Sequence, residues 1–122
     1  MQEADLTGLQ LEGADLSGAQ LQGAKLFGAQ LQGARLSGAQ FDAGTDLSAA
    51  TLRGAALRFV DFTDVPQIAD HLEEVFGDST VTLPDGVVPP ARFDVKYESG
   101  PDFTTAWSDF QRSIGQDPAD PK

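Results

Sequence analysis

From Ala4 onward the chain places a large apolar residue at every fifth position. The series is Leu6, Leu11, Leu16, Leu21, Leu26, Leu31, Leu36 and Phe41, then, after one inserted residue, Leu47, Leu52, Leu57 and Phe62. Two residues before each stands a second, usually smaller set: Ala4, Leu9, Ala14, Ala19, Ala24, Ala29, Ala34 and Ala39, then Thr45, Ala50, Ala55 and Val60. The remaining three positions of each unit are mostly polar or Gly. Period five fits neither regular element: on a helix it rotates each Leu by about 140° from the last, and on a strand an odd spacing flips faces. Both apolar sets can share one axis only if the backbone turns a corner in every unit, so the chain must coil. Alanine beside each leucine keeps the interior narrow and filled, and Gly closes most units where the corner falls.

The number of units per coil is legible in the charges, because stacked coils lie about 4.8 Å apart and side chains one coil apart are neighbours. A twenty-residue coil sets Asp5 under Lys25, Asp15 under Arg35 and Glu12 under Gln32, with Asp46 reaching Lys25 from the other side if the inserted residue near Ala43, Gly44 and Thr45 bulges out. A fifteen-residue coil would instead set Gln10 against Lys25 and Gln20 against Arg35, losing the opposite-charge matches. Four units to a coil, a square section and three coils follow.

Residues 4–64 resemble the pentapeptide-repeat proteins, whose unit is Ala, then Asp or Asn, then Leu, then two variable positions. The resemblance implies an all-β solenoid, a right-handed quadrilateral β-helix with Leu or Phe and the preceding Ala pointing inward. Leu9, Thr45 and the inserted residue depart from the pattern and imply local disturbance only.

A solenoid has open ends. Pro66 stands at a helix-start position, and Ile68, Leu72, Val75 and Phe76 follow at helical spacing before Gly77, predicting an α-helix that lays its apolar stripe on the last coil. The first coil has no comparable cover, which leaves a homodimer through that end or coverage by the tail as expectations. Beyond Asp78 the repeat is lost and Pro84, Pro89, Pro90, Pro101, Pro118 and Pro121 punctuate the chain, predicting extended and turn structure rather than a second core. Within it STVTL at 79–83 and RFDVKY at 92–97 alternate as short strands do. Phe103, Ala106, Trp107, Phe110 and Ile114 form a helical stripe over 101–114. The expected organisation is a β-helix over 1–64, a capping helix over 65–77, and an acidic, Pro-containing tail over 78–122. On this reading a chain ending after Gly77 or Asp78 stays folded.

Composition narrows the chemistry. The 122 residues contain no Cys and a single His, His71, which excludes disulfides, thiolate metal sites and cysteine nucleophiles. No Ser is arranged as a nucleophile near His71, which is expected on the surface, and Asp70, Glu73 and Glu74 suit the solvated face of the predicted helix better than a metal site. Asp61 and Asp64 lack the calcium-binding nonapeptide context, and the glycines lack the strand-to-helix setting of a phosphate loop. No catalytic residue, cofactor or metal is assigned. The N-terminus lacks the basic start and apolar run of a signal peptide, and no apolar stretch reaches the roughly 18 residues of a membrane span. A soluble, cytoplasmic protein is expected, although the sequence starts inside the repeat pattern, as a fragment of a longer protein would.

The net charge of −11 disfavours direct binding to nucleic acid and anionic membranes, and points to protein partners. The resemblance brings one specific alternative, since some pentapeptide-repeat proteins protect DNA gyrase by imitating duplex DNA. Residues 1–64 hold eight acidic and four basic residues, a net of −4. Three coils rise about 14 Å, over which a duplex carries roughly eight charges. The leading expectation is therefore a non-enzymatic structural or protein-interaction module, with inhibition or protection of a DNA enzyme as the alternative. Phe27 and Phe59 fall on outward positions. Together with Phe103, Trp107 and Phe110 they form the candidate interaction surface, with the tail helix covering Phe27 and Phe59 as the favoured arrangement.

Overall fold

The computed structural model describes residues 4–97 and 99–119. Its framework is a ladder of single parallel bridges: Asp5 with Lys25, Gln10 with Gln30, Asp15 with Arg35 and Gln20 with Gln40, continuing from Lys25 to Asp46, Gln30 to Thr51 and Arg35 to Ala56. Each side of the coil uses the same exchange, as where Leu6 N–H donates to Lys25 O and Lys25 N–H to Ala4 O, both at 2.8 Å. The strands are so short because the next corner follows at once, closed by a bond such as Leu9 N–H to Leu6 O at 3.1 Å. Four units therefore make one coil, and the charge pairs of the twenty-residue register meet. Leu21, Leu26, Leu31, Leu47, Leu52 and Leu57 are buried in one continuous core with Ala24, Ala29, Ala34 and Ala55.

The aspartates before the central leucines tie down the corners. Asp5, Asp15, Asp46 and Asp61 each accept a hydrogen bond from the backbone N–H two residues on, at Thr7, Ser17, Ser48 and Thr63, between 2.8 and 3.1 Å. Bonds from those hydroxyls first, and from the N–H groups second, hold all four carboxyls below the usual carboxylate range. The insertion is absorbed in the same currency. Gly13 and Gly33 donate to backbone carbonyls of the next coil, but Gly23 N–H donates to Asp42 Oδ1 at 2.9 Å, an atom that also accepts from Gly44 N–H. Thr45 occupies an inward position because its hydroxyl donates to Leu21 O at 2.8 Å.

Past Asp64 the structure departs from expectation. The predicted capping α-helix over 65–77 is a short 3-10 helix, Pro66–His71, followed by a turn and a strand. Phe76–Gly77 (β2) pairs in parallel with Ala56–Leu57 (β1), and Asp61 bridges to Thr82. The ladder thus continues into a fourth, irregular coil rather than ending at three. The physical reason is the unpaired edge of the third coil. An α-helix satisfies its own backbone and would leave that edge bare, whereas here Gly54 N–H reaches Glu74 O at 2.7 Å and Phe62 N–H reaches Thr82 O at 2.8 Å. Where the helical turn holds the backbone away, the Gln67 side chain substitutes and accepts from Leu47 N–H at 2.9 Å. Ile68, Leu72 and Val75 do bury in the solenoid core, but Phe76 faces the other way. His71, expected on the surface, is buried and lies 3.8 Å from Glu74.

Residues 92–97 form no strand; a 3-10 helix, Ala91–Asp94, begins after the two prolines and drops the Phe93 ring onto Gly77. Arg92 closes the fourth coil's edge by donating to Leu72 O at 2.6 Å and Val75 O at 2.9 Å. The segment from Gly100 to Ser113 (α1) is a helix, starting one residue before the predicted span, with Ser99 Oγ accepting from Asp102 N–H at 3.2 Å. Its apolar stripe builds a second small cluster with Ala56, Phe76 and Tyr97, where no second core was expected.

Candidate interaction surface

The site is set by the third side of the coil, which carries Leu16, Leu36 and Leu57 inward. Its outward ladder runs Asp15, Arg35, Ala56, Phe76. Three of the four sides keep polar residues at this register through the third coil; here the polarity switches at Ala56, and α1 docks on the switch. The Phe76 ring lies 5.2 Å from Phe103, 5.6 Å from Phe110 and 6.1 Å from Tyr97. Trp107 is 7 % exposed, donates from Nε1 to Gly54 O at 2.7 Å and packs its ring against the Arg35 guanidinium at 5.2 Å. The Arg53 guanidinium donates to Ile114 O at the far end of the helix.

One ion pair braces the other end. Arg58, nearly buried, meets the fully buried carboxylate of Asp78 at 3.2 Å and donates to Tyr97 O at 2.5 Å. Asp78 also accepts from Thr80 N–H at 2.9 Å, repeating in the fourth coil the aspartate turn of the first three. The guanidinium is stacked between two rings, 4.9 Å from Phe59 and 5.2 Å from Phe103.

Phe59 itself ends the third side at the position that Gly18 and Gly38 hold in the coils before it. It takes the left-handed backbone those glycines take, φ 55° against 73° and 72°, and is 58 % exposed. A non-Gly residue there costs about 1–2 kcal/mol. Open depressions lie on both flanks of the ring, one against α1 and one lined by Gln22, Gln40, Phe41 and Asp61.

The model of pentapeptide repeats matches eight copies over residues 1–42. Those residues, about a third of the chain, are similar to pentapeptide repeats. Among solved structures the chain is similar to a pentapeptide repeat protein from the Arabidopsis thaliana thylakoid lumen, at 28 % identity over 77 % of this chain, with a TM-score of 0.30. It is also similar to HetL, a pentapeptide repeat protein involved in heterocyst differentiation regulation in the cyanobacterium Nostoc sp. strain PCC 7120, at 24 % identity over 71 % of this chain, with a TM-score of 0.22. The chain spans 63 % and 46 % of the lengths of those two proteins. No curated protein matches it. Among the described residues no helix is long and apolar enough to cross a membrane.

The expected surface divides in the structure. Phe103 and Trp107 are buried and Phe110 half-buried in the helix contact, so these three are occupied inside the chain. Phe27 and Phe59 are not brought together and α1 covers neither. Phe27 follows Leu26 on the first side and is 52 % exposed, two sides of the coil from Phe59. The helix lies elsewhere because its own stripe needs an apolar floor, and Ala56 with Phe76 supplies one that the polar ladder beside Phe27 does not. Sequence reasoning missed Arg35, Arg58 and Asp78. Their signal was available, since the twenty-residue register puts all three on the side that also carries Ala56. Among the described residues no group of His, Asp and Glu is placed to hold a metal.

Proposed function

We propose that the protein is a non-enzymatic interaction module that presents Phe59 to a protein partner. The observation that carries this is the pairing of backbone strain with exposure: a bulky ring occupies a left-handed corner where glycine would serve the fold better, and it is left largely in solvent. The contact of the ring with the Arg58 guanidinium at 4.9 Å, worth about 0.5–1 kcal/mol at an exposed site, offsets only part of that cost, whereas an aromatic anchor flanked by depressions is the kind of residue that dominates interfaces. Imitation of duplex DNA is the weaker reading. The ladders alternate in sign, Asp5 with Lys25 with Asp46, and Asp15 with Arg35, instead of presenting a continuous row of negative charge.

Phe59→Gly tests the proposal, because it suits the backbone and removes only the ring. The variant should melt no lower than the wild type. Partners cross-linked in cells by the wild-type protein should be lost from it, while Phe27→Ser, two sides away, keeps them. Equal capture by wild type and Phe59→Gly would end this assignment.

A further inference from the structure

Between α1 and the third side of the coil the molecule keeps a cleft of about 230 Å³. Its aromatic lining residues are Phe59, Phe103 and Trp107, and its polar ones include Arg35, Ser37 and Thr104. Arg58 also borders it, but that cation is committed to Asp78 and to Tyr97 O. Arg35 is different. Among the described residues it makes no ion pair within 4.0 Å; its ladder neighbour Asp15 feels its charge but directs its Oδ1 to Ser17 N–H at 3.0 Å. Packed against Trp107 at 5.2 Å, the guanidinium is held in place by the ring without spending its N–H groups on a protein acceptor. Ser37 and Thr104 likewise make no side-chain hydrogen bond among the described residues, so three residues with donors to spare line one space with aromatic neighbours.

We infer that this cleft binds a carboxylate carried on a small aromatic body. The fork of a guanidinium matches a carboxylate in two parallel hydrogen bonds, and the hydroxyls can supply further donors, while the three rings receive the apolar part. A phosphate dianion fits less well, because Asp15 sits one coil below Arg35 and the whole chain carries −11. The volume lies under the range of about 300–1,000 Å³ typical of drug-sized ligands, which suits a single ring. The same chemistry is offered by a free aromatic acid and by the C-terminal aromatic residue of a peptide.

Amide-resolved NMR titration of the full chain with sodium benzoate tests the assignment, with benzamide as the uncharged match. Benzoate should shift the signals of Ser37, Thr104 and the Trp107 indole in a saturable way, and benzamide should bind about tenfold more weakly or worse. Arg35→Gln should abolish the benzoate response. Because that change also removes the contact with Trp107, Thr104→Val serves as a second variant, at a half-buried position in the cleft lining, and should weaken binding while leaving the indole signal of the free protein in place. A peptide ending in Phe with a free carboxylate, set against the same peptide amidated, separates the sources. Tighter binding by the free-acid peptide than by benzoate assigns the carboxylate to a polypeptide terminus, and equal affinity assigns it to a small acid. Absence of saturable shifts, equal binding of benzoate and benzamide, or undiminished binding by Arg35→Gln would overturn the inference.

Discussion

The indole of Trp107 donates its N–H to the carbonyl oxygen of Gly54 at 2.7 Å, across 53 residues of chain. Gly54 closes a unit of the third coil and Trp107 lies mid-way along α1, so this bond, with the stack on Arg35, makes the tail part of the fold. The emission of Trp107, the only Trp, should therefore be blue-shifted in the free full-length chain. Trp107→Ala removes a ring and leaves a buried carbonyl unsatisfied, and should cost about 3–5 kcal/mol in chemical denaturation. A red-shifted, readily quenched Trp107 would show the helix detached.

Gly54 is pressed from the other side as well. Gln116 donates to Arg53 O at 2.9 Å, and a Cβ on Gly54 would collide with Gln116 Oε1, at a backbone φ of 73° that disfavours any side chain. Gly54→Ala should destabilise the protein by more than the roughly 1 kcal/mol of left-handed strain alone. Gly8→Ala, which meets open space at a similar φ of 69°, should show the strain alone. Thermal melts of the two variants compare them directly.

The Arg58–Asp78 pair is fully buried at the carboxylate and nearly so at the guanidinium. Asp78→Asn leaves the cation without its counter-charge and should cost about 3–5 kcal/mol. Replacing both partners, as Arg58→Met with Asp78→Leu, should recover part of that loss. A double-mutant cycle in urea measures the coupling.

Acid should loosen the corners. Asp5, Asp15, Asp46 and Asp61 have folded-state pKa values lowered from the ordinary 3.8, chiefly by hydrogen bonds from Thr7, Ser17, Ser48 and Thr63. Lowered values mean that their contribution is present above the ordinary pKa and is lost as pH falls through 3.8 toward the folded-state values. The melting temperature should drop over that window. Asp15→Asn, which keeps the acceptor oxygen and cannot titrate, should make the drop shallower.

The regular coils were legible because each residue obeys one rule. Leu26 and Ala24 face inward for the same reason as Leu31 and Ala29, and the charges on Lys25 and Arg35 then decide the number of sides. The fourth coil was not legible, because it satisfies the same backbone edge with different side chains. Gln67 stands in for a carbonyl, Phe76 occupies an outward position, and Ile68 and Leu72 carry a spacing that a helix would also produce. Both arrangements bury the same leucines; only the unpaired N–H groups of Leu47 and Gly54 distinguish them, and backbone demand leaves no mark in a hydrophobic pattern. The helix at Gly100–Ser113 was readable from its stripe and its Pro. Its floor was readable only after the register placed Ala56 among polar ladder positions. Thr82, and with it Asp78, now belongs to the solenoid, so a chain ending after Asp78 should lose the cover of Asp61 and Phe62 and unfold more readily than the full chain.

Continuation of the coil past Asp64 is the claim on which the fourth coil, the docking floor and the position of α1 all rest. Asp61 and Thr82 are bridge partners, so cysteines introduced at both positions should lie within the roughly 4.4–6.8 Å Cα separation that a disulfide spans. In a chain with no other Cys, mild oxidation of Asp61→Cys/Thr82→Cys should consume both thiols within the monomer and raise its melting temperature above that of the reduced form. Two thiols that stay free, or that pair only between molecules, would contradict a fourth coil and restore the picture of a solenoid ending at three.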